Sequence, residues 1–456
     1  MTLSAKPVNI HYFLAATARW GNIFERAIPF ILALILSLIV FMAVTSGFNK
    51  HPDEKHHYDA AKYYFNHWLP PQVGAPETAD SYSKYGFSYL NELDLVYLLG
   101  AKFSQLLSPI IAKKFLALRF FNVFLFFLLV LYCTVNPASR LIFLGILITP
   151  QVWYIFSYFN NDAISLFTSL IIISEIVAQN SFFQRSLRAT KRPQFYCGII
   201  LMGLLLGLMF LCKRNYYIYI LFIFFIMSWQ FWQNRGPSQE QLMRQYMAVA
   251  GIGLAVFLLR YGYDVSINGW HKTGQMIAYA EKVAEPQFKP SVTDSSGSFY
   301  WVHLRAKGLK YSELFSKLEW HRITFRSFFG VYDYMQIFSS SKYYRLVYYV
   351  IIAFLLFIAA SVLINGQWGD RIFMIIVAAF MAATIFLSTW HSWINDFQAQ
   401  GRYLFPMVGM LGALLYQSQK LQNKGLLALL VMILCGLAAY SFIFTGLSRL
   451  MTASAL

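Results

Sequence analysis

Uncharged apolar runs of about twenty residues recur along the whole chain, separated mostly by short polar connections. The first, AIPFILALILSLIVFMAVTSGFN, is long enough as a helix to cross the roughly 30 Å of a hydrocarbon core. The pattern predicts eleven spans, at about 28–48, 115–134, 140–159, 163–180, 196–212, 216–232, 246–262, 345–364, 372–389, 403–417 and 425–444. No soluble fold needs so many blocks of that length, so the expected class is an all-α polytopic membrane protein. Its parts would be an N-terminal segment 1–27, a bundle 28–262 that includes a first outer loop 49–114, a large outer loop 263–344, C-terminal spans 345–444 and a short tail 445–456.

Orientation follows from the short connections. QRSLRATKRPQ, residues 184–194, holds Arg185, Arg188, Lys191 and Arg192, the densest basic cluster in a short loop, and belongs on the cytoplasmic side. Counting spans from there puts 49–114, 160–162, 213–215, 263–344 and 390–402 outside. All nine histidines except His11 then fall outside, with nearly all the carboxylates. The chemistry gathers on one side.

Composition agrees with the pattern. Of 456 residues, 58% are hydrophobic and 12% charged, against roughly 25% charged in a soluble domain. The net charge of +17 suits helix-end lysines and arginines that meet membrane lipid. It has no soluble basic domain to form a nucleic-acid footprint, so nucleic acid is not expected as a partner. Cys133, Cys197, Cys212 and Cys435 lie in or beside apolar runs without metal spacing. The first 26 residues lack a signal-peptide core and cleavage site, so the first span is expected to stay uncleaved.

Among outer residues, HPDEKHHYDAAKYYFNHW at 51–68 stands out. Pro52 should break the first helix, with Asp53 as N-cap of an interfacial helix. The ordinary account is a capped helix with aromatic anchors. The functional one makes Asp53, with Glu54 beside it, a proton acceptor at the bilayer edge. Lys213 and Arg214 sit in a three-residue outer turn where the charge rule predicts no cation, and Arg402 does the same in 390–402. Arg119 lies about one turn inside the second span. Such cations need partners: lipid headgroups on one reading, a substrate phosphate on the other. Asn160, Asn161 and Asp162 read first as a helix cap and second as ligands for sugar hydroxyls. A divalent metal is not favoured: Glu54 and His57 have carboxylate–histidine spacing, but no second motif answers it. The 263–344 loop reads as a mobile stretch followed by one or two amphipathic surface helices.

Together PDE after the first span, LRFFN, YFNNDAISLF, SFFGVYD and AQGRYLFP resemble, in order, the GT-C superfamily of membrane glycosyltransferases, and within it bacterial membrane proteins of unknown function. The resemblance implies an inverting transferase that uses a polyprenyl-phosphate sugar at the periplasmic face of the bacterial inner membrane; no cofactor is certain, and a divalent metal is possible but not favoured. It makes Asp53 the base with Glu54 adjacent, and Lys213, Arg214, Arg402 and Arg119 the donor-phosphate ligands. His57, Asn161, Asp162, Gln400 and His391 would contact acceptor or sugar. A glycan, lipid or protein acceptor stays open. The rival readings are a lipid-linked glycan flippase and an O-antigen polymerase or ligase.

Overall fold

The computed structural model describes residues 10–188, 192–233, 239–293 and 302–455. Lys191 of the basic loop and the tract 294–301 of the large loop lie outside them. The chain is almost wholly helical. In order come α1 (Ile10–Thr45), α2 (Glu54–Asn66), α3 (Val96–Leu107) and α4 (Lys114–Val135). The short helices α5 (Ser139–Ile142), α6 (Leu144–Leu147) and α7 (Pro150–Phe156) precede α8 (Asn161–Val177) and α9 (Phe182–Leu187). Next are α10 (Arg192–Phe210), α11 (Tyr217–Gln233), α12 (Gln239–Asn268), α13 (Lys272–Val283) and α14 (Pro290–Thr293). After α15 (Glu313–Ser316) and α16 (Trp320–Phe328), the strands β1 (Val331–Tyr332) and β2 (Ile337–Phe338) form an antiparallel hairpin. The chain closes with α17 (Ser341–Asn365), α18 (Trp368–Ile394), α19 (Pro406–Gln417), α20 (Lys424–Tyr440), a π-helical turn Ser441–Leu447, and α21 (Ser448–Ala455).

Among the described residues, seven helical stretches are long and apolar enough to cross a membrane: Arg19–Thr45, Lys114–Val135, Pro193–Phe210, Gln239–Asn268, Ser341–Asn365, Trp368–Ile394 and Lys424–Met451. The fold is that of an all-α polytopic membrane protein. The other four expected spans take different forms. Residues 140–159 break into α5, α6 and α7, and α7 meets α8 at a bend of 114°. α11 covers the expected 216–232 almost whole, with 17 residues up to Gln233, the last described residue before 239, whereas α19 has 12. Residues from α5 to α8 are almost all buried in protein, as is α19. A helix that packs inside the bundle, rather than against lipid, has no need of a full bilayer-length run. Two boundaries also move: α12 runs on to Asn268, and the expected tail from 445 continues the last helix.

The ends of these helices sort into two groups. At one end Lys424 Nζ meets Glu25 at 3.2 Å, Asn365 Nδ2 donates to the Leu421 carbonyl at 3.0 Å, and Glu175 accepts from the Tyr132 hydroxyl at 2.6 Å. At the other end Tyr334 donates to Asn49 at 2.7 Å, Asn215 to the Tyr403 carbonyl at 3.3 Å, and Lys213 pairs with Asp162. The loops expected on one face therefore do meet. The large loop contributes α13 to α16 and a hairpin that its amphipathic pattern did not announce.

Gly401 shows how tightly this end is built. Its N–H donates to the Ser327 hydroxyl, and a Cβ there would overlap the backbone N and Cα of Phe328. Only glycine lets the start of the penultimate apolar segment lie against the end of α16. Gly401→Ala is therefore expected to cost about 1–3 kcal/mol by overpacking, read as a lower thermal midpoint of the detergent-purified protein. Gly251→Ala, inside α12 with nothing within 4 Å, should be neutral or stabilising by about 0.5–1 kcal/mol. Equal midpoints for the two variants would contradict this packing.

Candidate functional site

The first outer loop is held from beneath. The fully buried Arg119 guanidinium donates to the carbonyls of Ala43 (2.7 Å), Ser46 (2.8 Å) and Gly47 (2.8 Å), which are left open where α1 ends. It also closes a two-point ion pair with Glu54, at 2.5 and 2.9 Å. Glu54 in turn accepts from the Asn49 N–H at 2.8 Å. His51, also buried, bridges the Ser46 hydroxyl (2.8 Å) and the Tyr154 hydroxyl (3.0 Å) and stacks on Tyr158. Three residues along from Arg119, Asn122 ties down the carbonyl of Tyr158 at 2.6 Å. The LRFFN segment thus fixes both the loop after α1 and the break before α8.

Asp53 occupies the N-cap position of α2 but does not cap it. Its backbone is left-handed, φ 59°, and its side chain accepts no hydrogen bond from the helix. Aspartate is among the few non-glycine residues that tolerate this region. The turn frees the carboxylate to face Arg402, whose NH2 lies 3.6 Å from its Oδ2. Arg402 NH1 lies 3.6 Å from Asp162 Oδ2. Lys213 Nζ then holds both Asp162 oxygens at 2.8 Å. An alternating row results: Asp53, Arg402, Asp162, Lys213. Asp162 stands in the first turn of α8, where the helix dipole favours a negative charge. Asn160 supplies the cap there, accepting from the N–H of Asp162 and Ala163, so the expected cap falls on this residue and leaves Asp162 for the cations.

Burial pushes the Asp53 carboxyl up, but the positive neighbours, Arg402 foremost, bring its pKa below the usual 3.8. His57 is buried, hydrogen-bonded to the Tyr97 hydroxyl at 2.9 Å and stacked on Tyr89; burial lowers its pKa to about 3 despite the nearby Asp53. It is a neutral imidazole at the edge of the site.

Not every expected residue joins the row. Arg119 and Glu54 are 0% and 2% exposed and satisfy one another, so the expected roles as phosphate ligand and catalytic neighbour give way to a loop clasp. Arg214 points out to solvent and pairs with Glu92 at 2.8 Å. Asn161 donates to Asp94 at 2.6 Å, and burial raises Asp94 to about 6. His391 is hydrogen-bonded to Asn395 at 3.1 Å. Gln400 belongs to the site: it lines a cleft beside Arg402, together with Gln151, Tyr158, Ser327 and Asp333. Asp333 and Gln151 escaped the sequence reading. Asp333 ends the SFFGVYD segment, so a signal was present, whereas Gln151 opens a buried helix and carried none. Among the described residues, no group of three or more His, Cys, Asp or Glu side chains is arranged around a metal ion.

A family model described as "Predicted membrane protein (DUF2142)" matches residues 48–411, a range that contains the whole charged row and the cleft. No curated protein matches the chain. No solved structure matches it either.

The clasp under Asp53 has a measurable signature. Arg119→Met should strand Glu54 as an unpaired buried charge and cost about 3–5 kcal/mol, whereas Arg119→Met combined with Glu54→Met should lose clearly less. Thermal midpoints of the two variants in one detergent decide it. A double variant no more stable than the single one would show that the two groups are not energetically paired.

Proposed function

Starting from a chain that belongs to the DUF2142 family of predicted membrane proteins, we propose that it is an inverting glycosyltransferase of GT-C type. It would take its sugar from a polyprenyl-phosphate donor at the periplasmic face of a bacterial inner membrane and pass it to a glycan, lipid or protein. The observation that carries this reading is the meeting of Asp53 and Arg402, at 3.6 Å, with Lys213 linked to Arg402 through Asp162. A carboxylate, an arginine and a lysine from three distant segments share one end of a membrane bundle.

In this mechanism Asp53 takes the proton of the acceptor hydroxyl as its oxygen attacks the anomeric carbon. The bond from that carbon to the phosphate oxygen breaks, and polyprenyl phosphate leaves. Negative charge grows on the departing phosphate, and fixed cations aimed at it lower the barrier, each such group contributing about 3–4 kcal/mol. Arg402 is the better placed of the two cations. Its contacts at 3.6 Å are ion pairs without hydrogen bonds, and its Nε has no partner. Its planar fork can grip a phosphate at two points. Lys213 is already bonded to both oxygens of Asp162 and serves chiefly to set the field. Arg119 and Arg214 have no part in this reading.

Asp53→Asn tests it. Membranes supplied with radiolabelled polyprenyl-phosphate sugars should show transfer that falls about 10²–10⁴-fold in the variant, while polyprenyl phosphate still binds. For the wild type, the base must be ionised, so kcat/KM, which reports the free enzyme, should hold through neutral pH and fail only as pH drops through the lowered pKa of Asp53. His57, neutral down to about pH 3, should add no inflection near 6.5. Undiminished transfer by Asp53→Asn would end the assignment, and a flippase would be indifferent to the change.

Sidedness has its own test. In a background without native cysteines, Asp80→Cys should react with an impermeant thiol reagent on intact cells, and Arg188→Cys only after lysis. The reverse pattern would turn the proposed orientation over.

A further inference from the structure

Beside Arg402 lies a cleft that the proposed chemistry has not used. One wall is the hairpin of β1 and β2, which is firmly tethered. The Val331 N–H donates to Gln151 Oε1 at 3.1 Å, the Asp333 N–H to the Tyr154 hydroxyl at 3.1 Å, and the Tyr344 hydroxyl to the Gly330 carbonyl at 2.7 Å. Asp333 itself is left-handed, φ 56°, as Asp53 is. Its carboxylate lines the cleft and has no hydrogen-bond or ion-pair partner among the described residues. Facing the same space are Arg402, 92% buried with its Nε unpartnered, and the side chains of Gln151, Gln400 and Tyr158. Pro52, the neighbour of Asp53, completes the rim.

We propose that this cleft is the acceptor subsite and that the acceptor is a carbohydrate, with Asp333 gripping one of its ring hydroxyls. The inference rests on the reading of Asp53 as base. A carboxylate only accepts hydrogen bonds, a guanidinium only donates, and an amide side chain does both. Adjacent sugar hydroxyls, each able to give and receive, satisfy such a mixed set. An alkyl chain would leave the buried Arg402 Nε without a partner, at the cost of a buried polar group left unpaired, and would offer the half-buried Asp333 no donor. The enclosed space is about 10 Å³, room for about one water-sized group, so the ring would sit at the mouth of the cleft with a single hydroxyl reaching in. A hydroxyl on that ring would lie beside Asp53. Its proton passes to Asp53, its oxygen forms the new glycosidic bond, and the donor's bond to phosphate breaks.

The experiment uses the full chain in nanodiscs and two probes, the methyl glycosides of common hexoses and N-acetylhexosamines, and polyprenyl monophosphate. Saturation-transfer NMR should show saturable binding of at least one glycoside to the wild type. Asp333→Asn preserves the left-handed turn, because asparagine also tolerates it, but removes the charge from the hydrogen bond. It should weaken the glycoside about tenfold while leaving polyprenyl monophosphate within twofold. No saturable glycoside binding by the wild type, or equal affinity in the variant, would overturn the subsite. Should Asp333→Asn fail to run as a single species on size exclusion, Gln400→Ala replaces it, with a loss of several-fold expected and none overturning the proposal. Glycoside binding that depends on Asp333, in a protein that ignores polyprenyl monophosphate, would support the cleft and sink the donor reading instead.

Discussion

An ionised group at the edge of a bilayer must find a partner, because hydrocarbon offers no solvation. That constraint builds this end of the molecule. Arg119 is fully buried one turn into a membrane helix and is satisfied only because Glu54, 65 positions earlier, bends back to it and the end of α1 presents its free carbonyls. Lys213 is satisfied because the break between α7 and α8 brings Asp162 to it, across 51 positions. The cations pin distant loops together, and the loops they pin carry the polar residues of the site.

The same pairing makes the row Asp53, Arg402, Asp162, Lys213 electrically neutral, which bears on how an anionic ligand would be received. A phosphate must compete with carboxylates for its cations, and the two differ in what they would lose. Lys213 holds both oxygens of Asp162 at 2.8 Å, whereas Arg402 touches each of its carboxylates only at 3.6 Å. Arg402 therefore gives up least by turning to a ligand. Whatever drew it from Asp53 would also remove the foremost group that depresses that carboxyl's pKa. On the transferase reading, arrival of the donor phosphate would sharpen the base, so that Asp53 is weakly basic in the empty site and stronger once the donor is bound.

Much of this was legible from the residues, for reasons that can be named. The cap at Asn160 is a local event, fixed by short-range hydrogen bonds, whereas the first helix already stops at Thr45, well short of the Pro52 expected to break it. Lys213 and Arg402 stood out because they violate the charge rule in short outer connections. The pairing of Arg119 with Glu54 is not legible, because a partner 65 positions away is a tertiary fact; without it, a buried arginine and a binding arginine look alike. The placement of Arg214 is equally hidden, since its partner Glu92 lies in a loop without a motif and the pair is turned to solvent. Apolar length alone does not fix the number of spans, because it records burial in protein as readily as burial in lipid, as in α5 to α8 and α19. The hairpin that carries Asp333 is two residues per strand, too short for any period to reveal.

Asp53 and Asp333 also share a device. Each is a non-glycine residue with φ near 60°, a conformation that costs energy and persists only when the surroundings over-determine it. Around Asp53 the surroundings do so several times over: Arg119 holds the carbonyls before it, Glu54 holds Asn49, and His51 is anchored to Ser46 and Tyr154. Around Asp333 the tethers are Tyr154 and Gln151. Tyr154 is common to both: its hydroxyl meets His51 of the first loop and the backbone N–H of Asp333. The hairpin's next residue, Tyr334, reaches across to Asn49. The two carboxylates are thus set by one connected frame, in which a shift of either loop is felt by the other. A frame of that kind gives up conformational stability to hold both loops, one carrying Asp53 beside Arg402 and the other carrying Asp333 on the cleft that Arg402 also lines, at fixed places relative to each other.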